Sequence, residues 1–186
     1  MNQILKNKCA LVTGGSRGIG AAIVKRLAGE GANVALTYSR SPERAEEVVK
    51  TARASGARSL SIQADSADAS ALVAAVERTV SELGGIDILV NNAGIAVMGP
   101  LEDFELADFD RTLAVNVRAV FVATQAAVRH MKDGGRIINI GSTNAERMPF
   151  AGGGVYAMSK SALRGLVQGL ARDLGLRGIT INIDSR

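Results

Sequence analysis

Cysteine occurs once in this chain, at Cys9, and tryptophan not at all. A single thiol excludes an internal disulfide, which fits a reducing compartment and predicts a cytoplasmic protein. Cys9 lies in an apolar run and reads as a buried, inert thiol. Histidine also occurs once, at His130, so multi-histidine metal centres are excluded and no metal site is expected. His130 reads as a helix-end residue before Met131-Lys132-Asp133-Gly134. Aromatic residues make up only 3%, and the basic residues are scattered. With neither a stacking platform nor a basic arm, no nucleic-acid partner is expected despite a net charge of +4. That charge suits an acidic carrier protein or a phosphorylated cofactor. No apolar run reaches the roughly 20 residues of a spanning helix, so no membrane partner is expected. The opening M-N-Q-I-L-K-N-K lacks the apolar core of a secretory signal.

What the chain does have is alternation. Its 186 residues, 47% hydrophobic and 22% charged, predict one soluble domain over 1–186 with a sizeable core. Short apolar runs at 9–12, 33–37, 58–63, 86–90, 136–140 and 179–183 read as strands. Helical periodicity runs over 19–30, from Ser41-Pro42-Glu43 to about 55, over 68–83, from 106 to about 131 as one long region or two joined helices, and over 155–176. Ser41 reads as an N-cap with Pro42 at the first helical position. Strands of about five residues, each followed by a helix, predict βαβ units. The expected fold is α/β: a Rossmann-type doubly wound parallel sheet with helices on both faces.

The first strand runs into Thr13-Gly14-Gly15-Ser16-Arg17-Gly18-Ile19-Gly20 and then a helix. Glycines let the backbone turn sharply and approach a pyrophosphate, and the helix N-terminus supplies N–H donors. The spacing is T-G-x-x-x-G-x-G, neither the G-x-G-x-x-G fingerprint nor a Walker loop. An unliganded glycine-rich turn has the same look. A dinucleotide fold that prefers NAD keeps an acidic residue at the end of the second strand. Tyr38-Ser39-Arg40 stands there instead, and Arg17 with Arg40 would suit a 2′-phosphate, favouring NADP(H) over NAD(H). Arg40 also fits a solvated loop.

Other polar residues gather at the expected carboxyl edge of the sheet, where ligands bind in such folds. Asp65 follows the third strand, where it could accept from an adenine amine or cap a helix in D-S-A-D. Asn91-Asn92-Ala93-Gly94 follows the fourth strand, and Ser142 ends the fifth. Asn116 lies inside a helix, a poor place for asparagine. Tyr156 and Lys160 are four apart on one helix face. An ammonium beside a phenol favours the phenolate, so such a pair can trade protons with a substrate oxygen. Alone, Tyr and Lys at this spacing describe an ordinary half-exposed helix surface more often than a site.

Taken together, T-G-G-S-R-G-I-G, N-N-A-G, Asn116, Ser142 and Y-A-M-S-K stand in the order and spacing of the short-chain dehydrogenase/reductase family. The chain resembles that family from about Lys8 to Asn182, in the flavour of its 3-oxoacyl-carrier-protein reductase-like branch. The resemblance implies a catalytic set of Asn116, Ser142, Tyr156 and Lys160. Tyr156 would act as general acid/base. Lys160 would favour its phenolate and bind the nicotinamide ribose. Ser142 would hydrogen-bond the substrate carbonyl, and Asn116 would hold a water of a proton relay. Gly14, Ser16, Arg17, Gly18 and Ile19 would cradle the dinucleotide. Tyr38, Ser39 and Arg40 would lie near the 2′-phosphate, Asp65 and Ser66 at the adenine, and Asn92, Ala93 and Gly94 at the nicotinamide. Ser142, Asn144 and Tyr156 would meet the substrate.

Members of the family continue past the sixth strand with a Pro-Gly turn, a mobile loop, a helix and a further strand. Here Ile179-Thr180-Ile181-Asn182-Ile183-Asp184-Ser185-Arg186 closes the sequence. The expected sheet therefore lacks its final strand or strands, and the domain reads as C-terminally incomplete. Homodimer or homotetramer contacts through the two long helices would survive this. The implied function is reduction of a ketone or 3-oxoacyl-type carbonyl by NADP(H), or the reverse. The alternative is a nucleotide-binding regulatory or inactive relative without turnover. A purely structural scaffold would leave Asn116, Ser142, Tyr156 and Lys160 unexplained. The run Glu146-Arg147-Met148-Pro149-Phe150 is expected to face the substrate pocket.

Overall fold

The computed structural model describes residues 3–185. Six parallel strands form one sheet: β1 (Cys9–Val12), β2 (Asn33–Tyr38), β3 (Ser59–Gln63), β4 (Ile88–Asn91), β5 (Arg136–Ile140) and β6 (Thr180–Asp184). Their order is β3-β2-β1-β4-β5-β6. The helices are α1 (Gly18–Gly29), α2 (Pro42–Ala54), α3 (Ala69–Leu83), α4 (Leu106–Leu113), α5 (Ala119–His130) and α6 (Gly154–Gly175).

Side chains alternate across a strand, so each strand feeds two cores. In β1, Ala10 and Val12 face Val24 and Ala28 of α1 and Val48, Val49 and Ala52 of α2. Cys9 and Leu11 face the other way, toward Ala75 and Val76 of α3, Ala123 and Ala127 of α5 and Leu174 of α6. Both faces are covered, as an all-parallel sheet requires. Chain direction across the sheet reverses between β1 and β4, and at that point the carboxyl ends of neighbouring strands leave a crevice.

Ser41 stands at the N-cap of α2 but makes no side-chain capping hydrogen bond; Pro42 at the first position sets the entry. The long helical region expected over 106–131, as one helix or two joined ones, is two helices. A five-residue π-helical bulge, Ala114–Arg118, separates α4 from α5, with Asn116 at its centre. Cys9 is buried, its thiol donates to Leu83 O at 3.3 Å, and burial raises its pKa. His130 does end α5.

Candidate active site

The loop after β1 is built by two threonines. Thr13 Oγ1 accepts from Asn92 N and Ala93 N at 3.0 and 3.1 Å. Thr37 Oγ1, from inside β2, accepts from Gly14 N at 3.0 Å. The Asn92 side chain donates to Thr13 O and Gly14 O at 2.9 and 3.0 Å, so it fastens the β4 exit to this loop. Gly14 has φ 65, where only glycine is relaxed, and a Cβ there would stand 3.0 Å from Ala93 Cα.

These contacts hold open a cleft of about 480 Å³ at the switch point of the sheet. Gly14, Ser16, Arg17, Gly18 and Ile19 form its floor at the N-terminus of α1. Ile19 is 60% exposed there, an apolar side chain turned to an open cleft. Tyr38 and Ser39 form one wall, Asp65 and Ser66 another, and Asn92, Ala93 and Gly94 a third. Of the expected cofactor residues, Arg40, Tyr156 and Lys160 do not line the cleft; Arg40 is the one on this side of it. It lies on the exposed turn beyond β2, close enough for its charge to act on Asp65. The cap of α3 is Asp68, whose carboxylate accepts from Ser70 N and Ala71 N. Asp65 is thereby left at the cleft, where Oδ1 accepts from Ala67 N at 2.9 Å. That hydrogen bond, with help from Arg111 and Arg40, holds the Asp65 carboxyl below the ordinary range.

Beyond Gly94 lies a buried polar cluster. The Asn116 side chain accepts from Ile95 N at 2.9 Å and donates to Ile95 O and to Ser159 Oγ, at 2.9 and 3.0 Å. Both amide hydrogens and the carbonyl are thus engaged, which explains an asparagine in this helix. Ser159 Oγ donates in turn to Tyr156 O at 2.7 Å. Lys160 is only 5% exposed, and its Nζ donates to Ile140 O at the end of β5, 2.8 Å away. A Cβ on Gly94 would stand 3.4 Å from both Asn116 Oδ1 and Lys160 Nζ. Gly94 therefore belongs to the cleft and to the cluster at once. Tyr156 sits half-buried one turn before Lys160.

Ser142 follows β5, and its Oγ accepts from Asn144 N at 3.1 Å, which leaves the hydroxyl hydrogen to donate elsewhere. Ser161 Oγ donates to Ala145 O at 2.8 Å and so pins this turn to α6. Glu146 does not fit the expectation of a pocket-facing run. Its carboxylate pairs with Arg164 on α6. Sequence reasoning also missed Thr37 and Arg111 as cleft residues.

Burial pushes the Lys160 ammonium below the usual lysine range. A lysine in an unfolded chain titrates near about 10.4. Between the lowered folded pKa and that value the unfolded chain binds more protons, so stability rises with pH; below the window the penalty is complete. The stability of the parent relative to Lys160→Met should therefore climb as pH approaches about 10.4. Denaturant unfolding of both proteins across alkaline pH checks this, and a flat difference would remove the burial penalty.

Residues 8–184 match the family model for short chain dehydrogenases. The chain belongs to the short-chain dehydrogenase family. It is 48% identical to the cyclic-di-GMP-binding biofilm dispersal mediator protein of Escherichia coli strain K12, over 95% of this chain and 70% of that protein. It is 42% identical to versicolorin reductase 1 of Aspergillus parasiticus, over 97% of this chain and 69% of that one. Among solved structures, a short-chain dehydrogenase from Burkholderia cenocepacia J2315 in complex with NADP superposes with a TM-score of 0.95. It is 61% identical, with 96% of this chain and 73% of that chain covered. The six-stranded parallel sheet is thus the dinucleotide-binding sheet of this oxidoreductase family. Among the described residues no helix is long and apolar enough to cross a membrane.

Proposed function

We propose that the chain binds NADP(H) and interconverts a ketone and an alcohol. The observation that carries this is Gly94, shared between the glycine-floored cleft and the buried Asn116–Lys160 cluster. The cleft fits a dinucleotide by its own geometry. Gly18 has φ 53 and nothing within 4 Å of where a Cβ would be, so the backbone at the start of α1 is open to a pyrophosphate. The Burkholderia structure with its NADP supports the choice of cofactor.

When bound, the reduced nicotinamide supplies the hydride. Tyr156 gives its phenolic proton to the carbonyl oxygen, and Ser142 donates its free hydroxyl hydrogen to the same oxygen, steadying the charge that develops there. Lys160, buried and anchored on Ile140 O, would hold positive charge near the phenol and bind the nicotinamide ribose hydroxyls. Both amide hydrogens of Asn116 are taken by Ile95 O and Ser159 Oγ, so a relay water held by Asn116 would donate to one of its oxygens. Asn144 holds Ser142 through its backbone N–H and is the nearest candidate for a further substrate contact. In reverse, Tyr156 accepts the proton of an alcohol.

The substrate is a small carbonyl compound of the β-keto or 3-oxoacyl type. The exposed Leu106, Phe121 and Met158 support a homodimer or homotetramer packed through α4, α5 and α6. The lone thiol supports a cytoplasmic setting. Loss of NADPH absorbance with a small β-keto ester or diketone tests the reading. Binding of NADPH with no turnover of any carbonyl would favour a second one, a nucleotide-binding regulator, which the name of the Escherichia coli relative motivates.

Selectivity for the 2′-phosphate has its own check. Arg40→Asp should weaken NADPH at least about ten-fold more than NADH, since it replaces a positive charge beside the cleft by a carboxylate that repels the 2′-phosphate. Equal effects on the two Kd values would remove Arg40 from the site and leave Arg17 alone.

A further inference from the structure

Asp65 and Arg111 form an ion pair on the wall of the cleft, Nη2 to Oδ2 3.2 Å, between the turn after β3 and helix α4. The other carboxylate oxygen already accepts from Ala67 N at 2.9 Å. Each oxygen of Asp65 therefore has a donor. Two turns further along the same helical segment, Arg118 donates to Ala67 O at 2.8 Å and braces the same turn. The glycine floor and Gly94 take the pyrophosphate and nicotinamide under the reading above, so Asp65, Ser66 and Arg111 lie at the end left for the base. A purine 6-amino group that seeks Asp65 meets an oxygen already held by a guanidinium.

Resting on that dinucleotide reading, we propose that Arg111 is a specificity-determining residue of the base subsite. It competes with a 6-amino purine for Asp65 Oδ2 and donates to a 6-oxo purine in its place. The pair moderates discrimination. Asp65 alone would strongly favour an amino donor and repel a carbonyl oxygen, while Arg111 beside it offers the opposite polarity. Both side chains are nearly half exposed, 43% and 45%, so the pair exchanges partners at little expense in folding.

The experiment is calorimetric titration with NADPH and with its deaminated, 6-oxopurine analogue. Arg111→Met removes the competitor while keeping an unbranched apolar stem. NADPH should bind about three-fold tighter to this variant and the 6-oxo analogue about three-fold weaker, so that the ratio of the two Kd values rises about ten-fold, or roughly 1.4 kcal/mol of added discrimination. In an Asp65→Asn background, which keeps an acceptor for Ala67 N, Arg111→Met should no longer tighten NADPH, so that the ratio rises only by the about three-fold lost on the 6-oxo analogue. A parent that binds NADPH, with the ratio the same in Arg111→Met, overturns the assignment of Arg111 alone. A parent that binds neither nucleotide overturns the dinucleotide reading along with it.

Discussion

Replacing Tyr156 by Phe is expected to lower kcat/KM for ketone reduction by about 10²–10⁴-fold, or roughly 3–5 kcal/mol of barrier. The substitution removes one oxygen and keeps the ring. The Tyr156 backbone carbonyl still accepts from Ser159 Oγ, so the start of α6 and the Asn116 clamp on Ile95 are untouched. Lys160 keeps its anchor on Ile140 O. The variant should therefore bind NADPH within about two-fold of the parent, because only an interaction made with the reacting oxygen is lost. Residual turnover would come from the Ser142 hydroxyl and from orientation in the cleft. Steady-state rates together with NADPH titration separate these effects. Parent and variant with the same kcat would end the assignment of Tyr156 as the proton carrier.

The strands and helices were legible because the apolar runs are short and the first five are each followed by a 3.6-residue pattern. The sheet order follows from right-handed crossovers once the elements are known. The glycine loop and the Asn92–Gly94 exit of β4 were legible from their residue types, and the cleft contains them. What stayed hidden depends on partners far away in sequence. Thr37 reads as one more buried strand residue, and only the fold shows it holding Gly14 from 23 positions away. Arg111 reads as a helix surface charge until Asp65, 46 positions back, is placed opposite it. The π bulge has no local signature of its own, although an asparagine that fits a helix badly marked its centre. The D-S-A-D ambiguity was resolved by α3 starting at Ala69, which gives the cap to Asp68 and frees Asp65. Ser41 does stand at the N-cap of α2, ahead of Pro42, as its residue type suggests, although its side chain makes no capping hydrogen bond.

Gly20→Ala should damage both stability and nucleotide binding, although alanine favours a helix by about 1 kcal/mol over glycine. A Cβ at position 20 would lie 2.5 Å from Gly14 O and 2.5 Å from Asn92 Nδ2. Neither atom can retreat cheaply. Gly14 is held from below by Thr37 Oγ1, Gly15 N donates to Thr37 O at 2.9 Å, and the Asn92 amide is itself bonded to Thr13 O and Gly14 O. Gly15 is wedged in turn, since a Cβ there would stand 2.6 Å from Leu36 Cβ. Overpacking of this kind costs about 1–3 kcal/mol, which outweighs the helix propensity and should lower Tm by several degrees. The strain falls on the loop that forms the cleft floor, so NADPH affinity should drop at least about ten-fold as the Gly14 and Asn92 contacts shift. Gly29→Ala, at the end of the same helix with nothing within 4 Å of its Cβ, isolates the propensity effect and should be neutral or stabilising by about 0.5–1 kcal/mol. If Gly20→Ala melts and binds NADPH as Gly29→Ala does, the close approach of α1 to the β1 loop does not shape the cleft.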